Sequence, residues 1–360
     1  MYTKIGVQTW NALIPVLTCL GLGVALWYPP EGAWLVLVGV ALLAAVITAV
    51  HHAEVIALRV GEPFGTLVLA LAVTAIESAL LVALMMSGGA SATTLARDTV
   101  FATVMIICNG VVGLCLLLGA LRYRVQAFRV EGTSPALSVV AALTTLTLVL
   151  PSFTSSTPGP TLSSAQLIFA GMVSLALYGV FVFVQTVRHR EYFLPPQNET
   201  DEPVHVMTTT RTALFSLVLL VVSLVTVVGL AKTLSPHIEL AVAAAGIPQA
   251  VVGIAVALMV LLPETWAAAH AALRNRLQTS FNLALGSALA TIGLTIPVVA
   301  VTAIMLDLPL VLGLPNKEIT LLALTLLISA MTLARGHATV LQGAVHLSLF
   351  AVYVFLAIVP

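Results

Sequence analysis

Charge is what this sequence has least of. Fourteen Lys and Arg and fourteen Asp and Glu are spread over 360 residues, 8% of the chain, where soluble domains carry about 25% charged residues. The formal net charge is zero, which excludes the basic footprint of a nucleic-acid binder. There are three cysteines, Cys19, Cys108 and Cys115. Each lies in an apolar run, so they read as small buried hydrophobes rather than a disulfide framework or a metal set. Catalytic signatures are missing too. No His-Glu-x-x-His, no Gly-x-Ser-x-Gly and no P-loop occurs, which disfavours an intramembrane enzyme and a primary pump within this chain.

What is there is apolar. Hydrophobic residues make up 60% of the chain, and the mean hydropathy is +1.12. A soluble core grows too slowly with chain length to use so much apolar surface; a lipid-facing surface can. A membrane span needs about 20 mostly apolar residues. The candidate spans are 11–28, 33–50, 64–86, 99–121, 136–151, 165–187, 212–231, 238–262, 280–305, 319–334 and 338–358. The run around 238–273 has room for a break. The first apolar run lacks a small-residue cleavage site and is read as a span, not a removable signal. The fold class is all-α integral membrane, with about eleven spanning helices.

The basic residues orient these spans, because Lys and Arg concentrate in cytoplasmic loops. With the N-terminus inside, eleven of the fourteen fall on the cytoplasmic side and three, Arg97, Lys232 and Lys317, outside. A miscounted helix in the middle would scramble that asymmetry. The C-terminus is then outside. One polar break, 188–211, carries Pro195-Pro196 and the acids Glu199, Asp201 and Glu202. It reads as a cytoplasmic linker, with cation sensing as the sharper alternative.

Removing the first span leaves five on each side of the linker. An odd number of helices per half forces the halves into opposite orientations, the architecture of inverted-repeat transporters. The expected organisation is an N-terminal helix over 1–30, a first five-helix repeat over 31–187, the acidic linker over 188–211 and a second repeat over 212–360. Gly61-Glu62-Pro63 and Gly246-Ile247-Pro248 occupy related places in the two halves, and each is followed by a glutamate, Glu77 and Glu264.

These two carboxylates carry the functional reading. An ionisable group at mid-membrane costs about 2.5–3.5 kcal/mol on insertion scales. No Lys or Arg lies at matching depth, so each must be protonated, solvated in a cavity or paired with a cation. Two neighbouring carboxylates resist joint ionisation, which raises their affinity for protons. Protons and a cation then compete for one site, and competition with exposure to one side at a time is antiport. Carboxylate and carbonyl oxygens favour Ca²⁺ as the exchanged cation; the alternative is Na⁺ or K⁺, which fits the same ligands with a different stoichiometry. A cation channel would also place acids along a pore, but inverted halves favour alternating access.

Further oxygens are expected from Thr74, one turn before Glu77, and from Asn109, Ser287 and Asn282, whose alternative role is hydrogen bonding between helices. Pro263 directly precedes Glu264, so a bent or broken helix is expected there. His51, His52, Glu54 and Glu62 form either a cytoplasmic mouth or an interfacial cluster. His346, inside the last span, reads as a packing histidine. No resident cofactor is expected. The partners are membrane lipid, cations and protons, not nucleic acid, and self-association is left open.

The chain resembles the calcium/cation antiporter superfamily, in its cation–proton exchanger branch, and looks most like the bacterial calcium/proton (sodium/proton) antiporters. The resemblance rests on Gly61-Glu62-Pro63-Phe64-Gly65 through Glu77, Gly246-Ile247-Pro248 through Pro263-Glu264, Arg97-Asp98-Thr99-Val100-Phe101 through Asn109-Gly110, and Asn282-Leu283-Ala284-Leu285-Gly286-Ser287. It implies that Glu77 and Glu264 bind the transported ion, with Asn109 and the Gly286-Ser287 segment as polar residues on the following helices. It also implies a place in the bacterial inner membrane. This sequence departs from the family by lacking Gly-Asn-Ala before either glutamate, and by carrying Gly286-Ser287-Ala288-Leu289-Ala290 where a glutamine is common.

Overall fold

A computed structural model describes residues 2–60, 64–86, 92–194, 209–246, 248 and 250–359. Eleven helices among them are long and apolar enough to cross a membrane. They are built from thirteen α-helical segments: α1 (Tyr2–Trp27), α2 (Ala33–Val60), α3 (Phe64–Met86), α4 (Ala92–Met105), α5 (Val112–Tyr123), α6 (Val130–Thr144), α7 (Ser164–Phe183), α8 (Thr210–Ala245), α9 (Ala250–Leu273), α10 (Leu277–Ala290), α11 (Ile296–Met305), α12 (Asn316–Leu333) and α13 (Val340–Ile358). The fourth span is α4 and α5 joined by a π-helical turn, Ile106–Val111; the ninth is α10 and α11 joined by another, Thr291–Thr295. Such turns widen a helix by one residue, break its i→i−4 ladder and recur at functional sites.

The count of eleven agrees with the sequence, but several boundaries do not. The span expected at 238–262 lies at Ala250–Leu273, and the break for which the run 238–273 had room is present. The seventh helix, α8, runs on to Ala245, and the eighth, α9, starts at Ala250. The break falls at Gly246, whose φ of +64° favours glycine, and Pro248, which cannot extend the preceding ladder. Arg97 and Asp98, expected in a loop, lie inside α4. They are tolerated there because they satisfy each other, with Arg97 Nη2 2.7 Å from an Asp98 carboxylate oxygen and the Thr94 hydroxyl donating to the second oxygen at 3.0 Å. The break expected at Pro263 is also absent: α9 is helical from end to end with Pro263 inside it. Cys108 and Cys115 are buried as expected, whereas Cys19 is exposed on α1.

The helices pack as two compact units that alternate along the chain. The first, Met1–Ala92 with Pro203–Ile247, holds α1, α2, α3 and α8. Its closest approaches are made by glycine: a Cβ on Gly229 of α8 would meet the Leu22 side chain of α1, and one on Gly65 of α3 would meet the backbone of Ala57 in α2. The second unit, Thr93–Glu202 with Pro248–Pro360, holds the remaining helices. Each unit draws helices from both sides of the 188–211 linker.

Inversion is visible inside the second unit. A short strand β1 (Gln126–Ala127), between the fourth and fifth spans, pairs antiparallel with β2 (His337–Ala338), between the tenth and eleventh. At the far end of the fifth span, Thr161 bridges to Val311, between the ninth and tenth. Exchanging the fourth, fifth and sixth spans with the ninth, tenth and eleventh turns one pairing into the other. It also swaps the two ends of the bundle, so the halves are upside down relative to each other. Capping boxes repeat the relation. Ser163 with Gln166 opens α7, and Thr339 with Gln342 opens α13; each pair satisfies two N-terminal backbone groups of its helix.

Several buried hydroxyls are satisfied locally: Thr144, Thr147 and Thr226 donate to carbonyls one turn back at 2.7–2.8 Å, which lets these polar side chains sit in the apolar bundle. The outward faces carry large apolar groups such as Phe169, Trp266 and Leu341, the surface a lipid solvent requires.

Candidate functional site

Glu77 lies in the first unit, on α3, and is 1% exposed. Thr74, one turn earlier on the same face, and Ser78 are buried with it. Glu264 lies in the second unit, on α9, and is half-buried. The structural registers match: each glutamate stands nine residues before its helix ends, at Met86 and at Leu273. This match appears only once α9 is placed at Ala250–Leu273, because the expected span put Glu264 beyond the end of the helix.

The contact that builds the site around Glu264 comes from a helical hairpin. α9 and α10 pack against each other through the tight turn at Arg274–Arg276, where Asn275 adopts a positive φ of 62°. The Ser280 hydroxyl on α10 donates to the Ala268 carbonyl on α9 at 2.7 Å and fixes the register. Glu264 and Ser287 stand nearly equally far from the turn, so they meet: the Ser287 hydroxyl donates to Glu264 Oε1 at 3.0 Å. One turn before Glu264, the carbonyl of Met259 has no intrahelical N–H to accept, because residue 263 is proline. A carboxylate, a hydroxyl and a carbonyl freed in mid-helix are the hard oxygen donors that an alkali or alkaline-earth cation takes. Among the described residues, no three His, Cys, Asp or Glu side chains converge on a point that could hold a metal, so an ion site built from those residues would draw on hydroxyl and carbonyl oxygens.

Removing the serine hydroxyl leaves the carboxylate with one fewer partner. For Ser287→Ala we expect cation affinity to change by about 10-fold or more, since hydrogen bonds to charged groups contribute about 1.5–3 kcal/mol. Concentration dependence of cation-driven proton flux in proteoliposomes reads this directly; an unchanged half-saturation point would remove Ser287 from the site.

The other candidates are placed as follows. Asn282 is committed elsewhere: its amide donates to the Phe193 carbonyl and accepts from Gln278 at 3.0 Å. Asn109 sits in the π-turn of the fourth span, fully buried, and its amide is held by side chains of the tenth and eleventh spans. Its Nδ2 donates to Thr325 Oγ1 at 2.8 Å, and its Oδ1 lies 3.2 Å from His346 Nδ1. In the first unit, His51 Nε2 is 2.8 Å from Asn11 Nδ2, and His52 Nε2 is 3.1 Å from the Asn11 carbonyl. The two histidines thus tie α2 to α1, and Glu54 beside them is exposed. Glu62, Glu199, Asp201 and Glu202 lie outside the described residues.

Two groupings went unread in the sequence. One is the set Thr325, Thr332 and His346 around Asn109. Its signal was available, since Thr325 and Thr332 are two turns apart on one helical face and His346 is the lone imidazole of the last span. The other is a small cavity lined by Asp98, Phe101, Lys317, Glu318 and Tyr353 in the second unit. There Lys317 Nζ donates to the Leu356 carbonyl at 3.1 Å.

Comparisons with known proteins identify relatives of the whole chain. The sequence profile of the family described as sodium/calcium exchanger protein matches residues 31–187 and again 215–359. The chain is 47% identical over 357 residues to y4hA of Sinorhizobium fredii, an ionic transporter by name, covering 98% of this chain and 97% of that protein. It is 35% identical over 322 residues to the sodium-potassium/proton antiporter ChaA of Escherichia coli, covering 89% and 86%. Among solved structures, the H⁺/Ca²⁺ exchanger CAX shares the fold at a TM-score of 0.71 and 16% identity, over 96% of this chain and 88% of that one. The profile covers most of the chain in two matching halves, and the chain therefore belongs to the sodium/calcium exchanger protein family, as a multi-pass membrane transporter of the cation-exchanger type.

Proposed function

We propose that the protein is a secondary antiporter exchanging a cation for protons by alternating access, with Glu77 and Glu264 as the groups that carry the exchanged ions. The observation that supports this most is the placement of Glu264. It is a carboxylate in mid-helix, held by Ser287 beside a proline-freed carbonyl, and neither α3 nor α9 contains a Lys or Arg. A group in that setting is neutral with a proton or neutral with a cation, and it has to give up one to take the other.

Na⁺ or K⁺ is the first choice of cation, favoured by the 35% identity to a sodium-potassium/proton antiporter. Ca²⁺ is the second reading, favoured because carboxylate, hydroxyl and carbonyl oxygens are the hard donors it takes. The distribution of Lys and Arg supports a cytoplasmic N-terminus and an outside C-terminus, and the similarity to an Escherichia coli antiporter supports a bacterial inner membrane.

The test is made in proteoliposomes holding an imposed pH gradient, with Na⁺, K⁺ and Ca²⁺ added one at a time. Collapse of the gradient by Na⁺ or K⁺ with half-saturation well below that of Ca²⁺ supports the first reading. The reverse order supports the second. Cation flux that leaves the pH gradient untouched would sink proton antiport altogether.

A further inference from the structure

The polar chain around Asn109 runs in one direction. Asn109 Nδ2 donates to Thr325 Oγ1 at 2.8 Å, and Thr325 Oγ1 has Met105 Sδ at 3.4 Å as the acceptor for its own proton. In this arrangement the amide oxygen faces His346, and a proton on His346 Nδ1 bridges the 3.2 Å to Asn109 Oδ1, with the backbone of Cys108, the residue before Asn109, as a second partner of the imidazole. A neutral imidazole then leaves Nε2 as an acceptor, and the Thr332 hydroxyl, 3.1 Å away, is placed to donate to it. All four residues are buried, and His346 and Asn109 show no exposure at all.

The histidine is not a requirement of the architecture. The inverted halves repeat this helix crossing. α13 crosses α5 next to one π-turn, and α7 crosses α11 next to the other. The capping boxes at Ser163 and Thr339 set the register between α7 and α13. In that register His346 corresponds to Ala170, and the mirror crossing closes with Gly171 against Pro297 and Tyr178 against Gly293. One half of the molecule thus spends a buried imidazole where the other half folds with alanine. Helix packing alone leaves that difference unexplained.

We propose that His346 is a positioning residue for ion exchange: its Nδ1–H orients the side-chain carbonyl of Asn109, and Thr332 holds the imidazole in the tautomer that can do so. A carbonyl oxygen has two lone pairs. One is engaged by His346; the other remains available to an ion as an oxygen ligand. α9, which carries Glu264, packs against the π-turn that carries Asn109, so the oriented amide belongs to the same unit as the carboxylate it would assist. Partners of this kind set ligand orientation, and their loss typically lowers metal affinity 10–100-fold at resident sites. At a transport site held by a single neutral hydrogen bond the expected loss is smaller, about three- to tenfold.

This inference rests on the antiport reading above, and its test separates the two. The full-length protein is reconstituted, and proton flux is measured against Na⁺, K⁺ and Ca²⁺ concentration. His346→Leu removes the donor and is expected to raise KM for the cation about three- to tenfold with kcat changed less than about twofold. His346→Asn places an amide nitrogen where Nδ1 stood and is expected to restore KM to within about twofold of the parent. His346→Gln, whose nitrogen stands where Nε2 stood, is expected to behave like the leucine variant. Thr332→Val gives a milder version of the same shift and serves if His346→Leu does not fold. In an Asn109→Ala background, His346→Leu is expected to add nothing further.

Equal KM values for leucine, asparagine and glutamine variants would overturn the proposal, as would a fall in kcat at unchanged KM. Additive effects of Asn109→Ala and His346→Leu would overturn it as well. Cation flux in the parent protein that leaves the pH gradient untouched would instead defeat the antiport reading, whatever the histidine variants do.

Discussion

Glu264→Gln and Glu77→Gln are each expected to abolish cation-driven proton flux, while the variant proteins remain extractable and monodisperse. The expectation follows from what glutamine keeps and what it loses. Its shape is that of glutamic acid, so it fits the packing of a protonated carboxyl group, and Ser287 can still donate to the amide oxygen at position 264. It cannot ionise, so it can neither release a proton nor supply negative charge to a cation. Leaving a buried charge without its counter-charge costs about 3–5 kcal/mol, which is roughly two to four orders of magnitude in affinity. The measurement is flux in proteoliposomes across a wide cation range, with size-exclusion profiles as the folding control. Flux at more than about a tenth of the parent rate in either variant would show that the carboxylate at that position does not carry the exchanged ion. Loss in one variant only would confine the chemistry to one half of the chain.

How legible was this protein? The span count survived because it rests on the strongest sequence signals, long apolar runs and the one-sided placement of Lys and Arg. Boundaries suffered where apolar composition continues through a break. Residues 238–262 are as apolar as a helix, and only the positive φ at Gly246 and the ring of Pro248 stop α8 and start α9. Composition misled in the other direction at Arg97-Asp98, which looked like a loop and is helical because the two charges satisfy each other. Glu77 and Glu264 could be singled out because charge in an apolar run is rare and costly, a local property. Thr325, Thr332 and His346 stand out as polar residues in apolar spans, but their meeting with Asn109 could not be read, because Thr325 and His346 are more than two hundred residues away from it along the chain. The π-turns left no clear trace in the sequence, since they arise from how a helix bends around its neighbours. The capping boxes at Ser163 and Thr339 were readable one by one; their equivalence needed the inverted pairing of β1 with β2 and of Thr161 with Val311 to be seen.

Gly343→Val is expected to cost more stability than any other single glycine replacement in the α5–α13 crossing. A Cβ at position 343 would stand 2.6 Å from the Leu117 backbone nitrogen, 2.9 Å from its Cα and 3.0 Å from the Gly113 carbonyl oxygen. These neighbours are backbone, so no rotamer change can make room; the helices themselves must separate. Gly113 is placed reciprocally, with the His346 Cβ 2.9 Å from where its own Cβ would be. The two glycines therefore let two helices touch backbone to backbone. In lipid, where apolar burial gives helices no reason to prefer each other, such close packing is a main source of association. Overpacking of a tight core costs about 1–3 kcal/mol, and a β-branched side chain against backbone stands at the upper end. The displaced α13 also carries His346, one turn along from the substitution, away from Asn109. We therefore expect Gly343→Val to lower the thermal transition of the detergent-solubilised protein by several degrees and to raise the KM for the cation together with it. Gly21→Ala is the control, because nothing lies within 4 Å of a Cβ at that position, and its transition should match the parent. A Gly343→Val protein as heat-resistant as the parent would show that α5 and α13 do not approach this closely, and the orientation of Asn109 by His346 would lose its structural basis with it.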